Sequence, residues 1–172
     1  MTIQILGGLL VCGATTMLGL HIGAAGRRRA KELTEFKKSL ILLKSQIKYA
    51  IYTLPQAFSH IVEKVDAPFA NFYQNMADEL EGGTNTAACV WAAEVSNSLK
   101  SNNLNKEDLE NIATLEIALG QMDAQVQINA IDMMLVSIDE TLANLAKENP
   151  KNAKMYRGLG VVGGLLITIV LI

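Results

Sequence analysis

The first Lys, Arg, Asp or Glu of this chain is Arg27 and the last is Arg157, so both ends are free of charge. Lipid contains no water to satisfy backbone polar groups, so a chain entering it must be helical or a closed barrel. Two charge-free ends therefore constrain the fold more than any other feature. Residues 3–25, IQILGGLLVCGATTMLGLHIGAA, exceed the about 20 residues a helix needs to cross a bilayer. Gln4, Thr15, Thr16 and His21 weaken that run without disqualifying it. A cleaved leader would carry its basic residues before the apolar run. Here GRRRAK follows it, and an uncleaved span is expected. Residues 159–172, LGVVGGLLITIVLI, give about 21 Å of helix at 1.5 Å per residue. Adding KMYRG upstream reaches about 28 Å, near a hydrocarbon thickness of about 30 Å. Lys154 and Arg157 can snorkel to the headgroups and Tyr156 can anchor at the interface. A buried core helix is the rival reading of this second run.

The charges between these runs are sorted. Residues 27–48 carry eight basic and two acidic side chains, residues 49–146 three and fourteen, and residues 147–157 four and one. Arg27, Arg28, Arg29 and Lys31 follow the first run, while Lys147, Lys151, Lys154 and Arg157 precede the second. Both groups flank the central region, and the positive-inside rule places that region in the cytoplasm. The expected organisation is a transmembrane helix over 1–25, a cytoplasmic helical domain over 26–157 and a second transmembrane helix over 158–172. The basic ends of the domain would face phospholipid, where each Lys or Arg near an anionic surface contributes about 1 kcal/mol. The acidic centre would point away, either as a solvated face or as a docking surface for a basic partner. Glu79, Glu81 and Glu107 are the candidate contacts in the second case. Gly19 and Gly23 are four apart, as are Gly160 and Gly164. That spacing permits close helix contact in a membrane, although glycine is common in membrane helices for other reasons.

The central region reads as six helices and no convincing strand. Leu33, Phe36, Leu40, Leu43, Ile47 and Ala50 form one stripe that ends near Tyr52. Thr53 can cap a second helix with Phe58, Ile61, Val62 and Val65 on one face. A third starts at Pro68, turns Phe69, Phe72, Met76 and Leu80 inward and stops at Gly82-Gly83. The fourth offers Val90, Trp91, Val95 and Leu99 as core. Asn105 caps the fifth, with Leu109, Ile112 and Leu115 inward and Gly120 ending or bending it. The sixth is the longest, with Ile128, Ile131, Leu135, Ile138, Leu142 and Leu145 in one stripe, ending before Pro150. The first and last helices are expected side by side. The fold class is all-α.

Residues that carry chemistry are sparse. His60 in AFSHIVEK has no Cys or acid at ligand spacing, and a metal site needs several convergent donors. His21 lies near the basic edge of the first run, where an interfacial ring is expected. GGLLVCGATTMLG lacks the Lys of a phosphate loop. No nucleophile carries a local signature. Cys12 and Cys89 are expected as free, buried thiols. Met133 and Met134 in IDMMLV are expected to fill core. No catalytic residue, metal site, cofactor or nucleic-acid site is assigned.

Several stretches coincide with one family. ATTMLG, the basic cluster after it, SLILLKSQIKYAIYTLPQAF, Trp91, LGQMDAQVQ and NAKMYRGLGVVGGLL follow in this order. With them the chain resembles the stage III sporulation protein AB family of endospore-forming bacteria over nearly its whole length. The most specific positions are Leu119, Gly120, Asp123 and Gln127, together with Asn152, Lys154, Met155, Tyr156, Leu159 and Gly160. One departure is local: the family commonly has Pro before the position of Leu54, whereas here Pro55 follows it. That puts the start of the second helix in doubt.

The resemblance implies a relation to the platform (F-type) proteins of type II secretion and type IV pilus machines. It implies a place in a channel complex between mother cell and forespore, beside a secretion-type ATPase and ring-forming membrane proteins, without ATP hydrolysis by this chain. Self-association is also open. Gly120 would permit a tight break, Asp123 would cap the last helix, and Gln127 lies one turn on. These residues and Trp91 are read as structural, with partner contact as the alternative. Two other classes of function compete: a membrane-tethered scaffold or sensor unrelated to secretion, and a membrane enzyme with a concealed site.

Overall fold

The computed structural model describes the backbone of residues 2–50, 52–83, 85–100 and 102–171, and the side chains of 13, 17, 24–49, 52–83, 85–100 and 102–147. The described residues are helical, without strands: α1 (Thr2–Ser45), a π-helical turn (Gln46–Ala50), α2 (Leu54–Val62), α3 (Phe69–Glu81), α4 (Ala87–Ser98), α5 (Lys106–Ala113), α6 (Leu115–Leu119) and α7 (Ala124–Leu171). Each of the six expected helices has its counterpart, and the fifth is broken in two. Contacts divide the chain into two units, residues 1–30 with 143–172, and residues 31–142. Among the described residues no helix is long and apolar enough to cross a membrane. The side chains of the two expected spans lie almost wholly outside them.

The first unit consists of the outer parts of α1 and α7. The second holds the aromatic core. Leu33, Phe36, Leu40 and Leu43 of α1 are buried, as the stripe requires. The stripe then weakens: Ile47 is half-buried, and the Ala50 side chain lies outside the described ones. Ile47 falls within the π turn, where the wider winding departs from the 3.6-residue period of the stripe. α2 opens with the Gln56 carboxamide accepting from both the N–H and the hydroxyl of Thr53, each at 3.1 Å. Pro55 falls in this first turn, where no N–H is missed. α3 buries Phe69, Phe72, Tyr73 and Met76 completely. It stops at Gly83, whose φ of +69° is left-handed and suits glycine.

α4 packs against α3, α5 and α6. Its Val90, Trp91, Val95 and Leu99 are all buried. The Thr86 hydroxyl caps it by accepting from Cys89 N–H at 3.4 Å. Cys89 is free but exposed, contrary to the buried thiol expected, because this first turn faces solvent. α7 runs antiparallel to α1 in the second unit: Lys37 pairs with Asp139, and Lys44, seven residues on, with Asp132, seven residues back. Such partly exposed pairs contribute about 0–1 kcal/mol each and serve register more than stability. Ile128, Ile131, Met134 and Ile138 of α7 are buried, and Leu135 and Leu142 are half-buried. Met133 is 76% exposed, so only one of the adjacent methionines fills core. α7 also passes through Pro150 rather than ending before it. A proline inside a helix removes one backbone bond, and the rest of the ladder can continue past it.

Candidate functional site

The break in the expected fifth helix starts from Trp91. Its ring lies edge-on to Phe72, with centroids 5.0 Å apart, and its indole N–H donates to the carbonyl of Ile112 at 2.8 Å. In an unbroken helix that carbonyl would accept from the N–H of residue 116. Thr114 reinforces the break: its N–H and its hydroxyl both donate to Asn111 O, at 3.1 and 2.7 Å. α5 is well started, since Asp108 N–H donates to Asn105 Oδ1 at 2.7 Å and Asn105 N–H to Asp108 Oδ2 at 3.0 Å.

The turn from α6 to α7 is closed by side chains. A Cβ on Gly120 would lie 3.1 Å from Ala88 Cβ, so a larger residue would press on α4. Asp123 precedes α7 and its Oδ1 accepts from Gln125 N–H at 2.7 Å, an N-cap. Gln127 is buried and its Nε2 donates back to Gln121 O at 2.7 Å and, more weakly, to Leu119 O at 3.4 Å. Leu119, Gly120, Asp123 and Gln127 are thus gathered in one turn.

Beside this turn runs a groove of about 280 Å³ between α5–α6 and α7. Leu115 and Met134 are its buried base; Asn111 and Thr114 form one wall, Ala130 and Met133 the other. Near its α6 end the surface carries Ile117, Met122 and Val126, all exposed. The groove was not among the sites expected from sequence. The signal was present on α7, where Val126 and Met133 are two turns apart, off the buried stripe.

The sequence matches the stage III sporulation protein AB profile over residues 4–172. The chain belongs to the stage III sporulation protein AB family. Stage III sporulation protein AB of Bacillus subtilis (strain 168) is 24% identical over 169 residues, which is 98% of this chain and 99% of the relative. A solved stage III sporulation protein AB structure superposes with a TM-score of 0.67 at 20% identity, over 72% of this chain and 97% of the other. At that identity the likeness concerns the fold.

Other family and candidate positions fall elsewhere. Asn152, Lys154, Met155, Tyr156, Leu159 and Gly160, and the glycines Gly19, Gly23 and Gly164, lie outside the described side chains. Glu79, Glu81 and Glu107 are exposed. Glu79 and Glu81 end α3, next to the start of α4, and Glu107 opens α5, just after the end of α4. His60 is exposed and lies against Tyr52, with ring centroids 4.9 Å apart. Among the described residues no group of His, Cys, Asp or Glu could hold a metal ion. One buried carboxylate, Glu94, accepts from Asn75 Nδ2 at 3.0 Å and from the Ser98 hydroxyl, which joins α3 to α4.

Proposed function

We propose that this protein is a non-enzymatic membrane platform of the sporulation channel between mother cell and forespore. In this reading it couples a secretion-type ATPase in the mother-cell cytoplasm to ring-forming membrane proteins. Residues 1–25 and 158–172 cross the membrane, and residues 26–157 form the cytoplasmic domain. The observation that carries the proposal is the order of charge in a sporulation-family chain: two bare ends, a basic collar inside each, and an acidic centre. Apolar runs flanked by Lys and Arg on one side suit a two-span anchor. An acidic domain suits a basic partner, because complementary charge speeds encounter and rejects wrong partners. The buried, hydrogen-bonded positions of Trp91 and Gln127 suit a scaffold whose helices keep fixed places.

Co-purification of the full-length protein from sporulating cells tests this. Glu79, Glu81 and Glu107 are each replaced by Lys. The expected result is recovery of a secretion-type ATPase with the parent chain and its loss with the triple variant. Recovery unchanged by the three reversals would remove the acidic surface from the proposal. Normal spores from a strain deleted for the gene would remove the channel role itself.

A further inference from the structure

We infer that the groove between α5–α6 and α7 is a docking site for an amphipathic helix of another protein, with apolar residues along one stripe and Lys or Arg at one end. The inference stands whether or not the protein is a secretion platform.

The groove has direction. Leu115 borders it with Ala130, whereas Asp108 borders an adjoining hollow with Thr141. α5–α6 therefore runs antiparallel to α7, and the N-terminus of α5 lies beside the segment around Thr141. Glu107 stands one turn before the groove residue Asn111, and Glu140 two turns after Met133. Both are exposed, and both fall at the same end. The opposite end carries Ile117, which is 69% exposed, the fully exposed Met122, and Val126. Along the line between them, Met133 is 76% and Val136 is 59% exposed. The surface thus runs from apolar to acidic.

Size and charge select the occupant. At about 280 Å³ the groove stands at the lower edge of the range of about 300–1,000 Å³ usual for small-molecule sites. It suits a few side chains projecting from a helix at i, i+3 or i+4, and i+7. From residue 106 to 146 the chain has eight carboxylates and one base, Lys106, which pairs with Glu110 at 3.3 Å. Asp132 and Asp139 are paired with Lys44 and Lys37, and Asp108 caps α5. Glu107 and Glu140 have no such role. A second copy of this face would bring like charges together, and an anionic lipid surface would be repelled. A basic amphipathic helix meets both the apolar and the acidic end.

The test places a photo-crosslinking benzoylphenylalanine at Val136 of the full-length chain in sporulating cells and sequences the cross-linked peptide. The expected adduct is a segment of a different protein with an apolar i, i+3 or i+4, i+7 stripe and clustered Lys or Arg at one end. Glu107→Lys with Glu140→Lys should lower its yield at least fivefold while circular dichroism shows the chain still folded. Glu107→Gln with Glu140→Gln, which perturbs α5 less, should lower it in the same direction. An adduct to this chain, to lipid or to a segment without that pattern, or no adduct, would overturn the proposal. So would a yield that neither pair of substitutions changes.

Discussion

Replacing Trp91 with Phe keeps an aromatic ring against Phe72 but removes the indole N–H from the Ile112 carbonyl, a 2.8 Å bond between fully buried groups. The Thr114 N–H at the end of α5 also points to this carbonyl, so losing the indole bond costs about 0.5–1.5 kcal/mol. The lost half of the indole leaves a void, which adds roughly 1 kcal/mol by comparison with other large-to-small core changes. The expected loss is about 1.5–2.5 kcal/mol, or a fall in melting temperature of roughly 5–10 °C for a domain of this size. Trp91 is the sole tryptophan, so its fluorescence cannot follow the variant. Far-ultraviolet circular dichroism during urea titration follows both proteins. Amide exchange supplies the local reading: without the indole, Ile112 O is free to accept from Glu116 N–H, and that amide should gain protection. A stability loss under about 1 kcal/mol, with exchange around Thr114 unchanged, would refute the account of the break.

Two further outcomes follow from the same core. Asp123→Ala removes the acceptor for Gln125 N–H and should cost about 1 kcal/mol, with Asp123→Asn recovering most of it in a melting experiment. Ser39 spends its one hydroxyl proton on Phe36 O, so Tyr73 must donate to Ser39, and burial pushes the Tyr73 phenol well above its usual range. The phenol is then neutral when folded and ionises more readily when unfolded. Its contribution is complete below the ordinary tyrosine value of about 10 and declines as pH rises above it, by up to about 1.4 kcal/mol per pH unit. Tyr73→Phe should flatten that alkaline decline in urea titrations across this range, whatever it costs at neutral pH.

Much of the helical order was legible because local patterns and tertiary burial agree. Leu33, Phe36, Leu40 and Leu43 recur at three and four, and the core covers all four. Asn105 followed by Glu107 and Asp108 marks a helix start, and the reciprocal hydrogen bonds occur there. Gly82-Gly83 marks an end, and Gly83 turns left-handed. The misses share a different cause: distant side chains decide them. Nothing local in NIATLEIAL marks a break at Thr114, because the indole that takes the Ile112 carbonyl is 21 residues away. Likewise the π turn after Ser45 sits within an otherwise regular stripe.

The groove was hidden for a related reason. Periodicity shows which residues of a helix share a face, but not how many neighbours cover it. In α7 the buried stripe of Ile128, Ile131, Met134 and Ile138 is wide because α1 and α5–α6 flank the helix, one on each side. Met133, a single position off that stripe, was read with its neighbour as core filler. It borders the hollow that α5 and α6, interrupted at Thr114, leave open beside Thr114 and Leu115. The same indole bond that stops α5 therefore bears on the shape of the groove. Trp91 holds Ile112, next to Asn111 on the groove wall, so a change at Trp91 should alter cross-linking at Val136 without touching the partner.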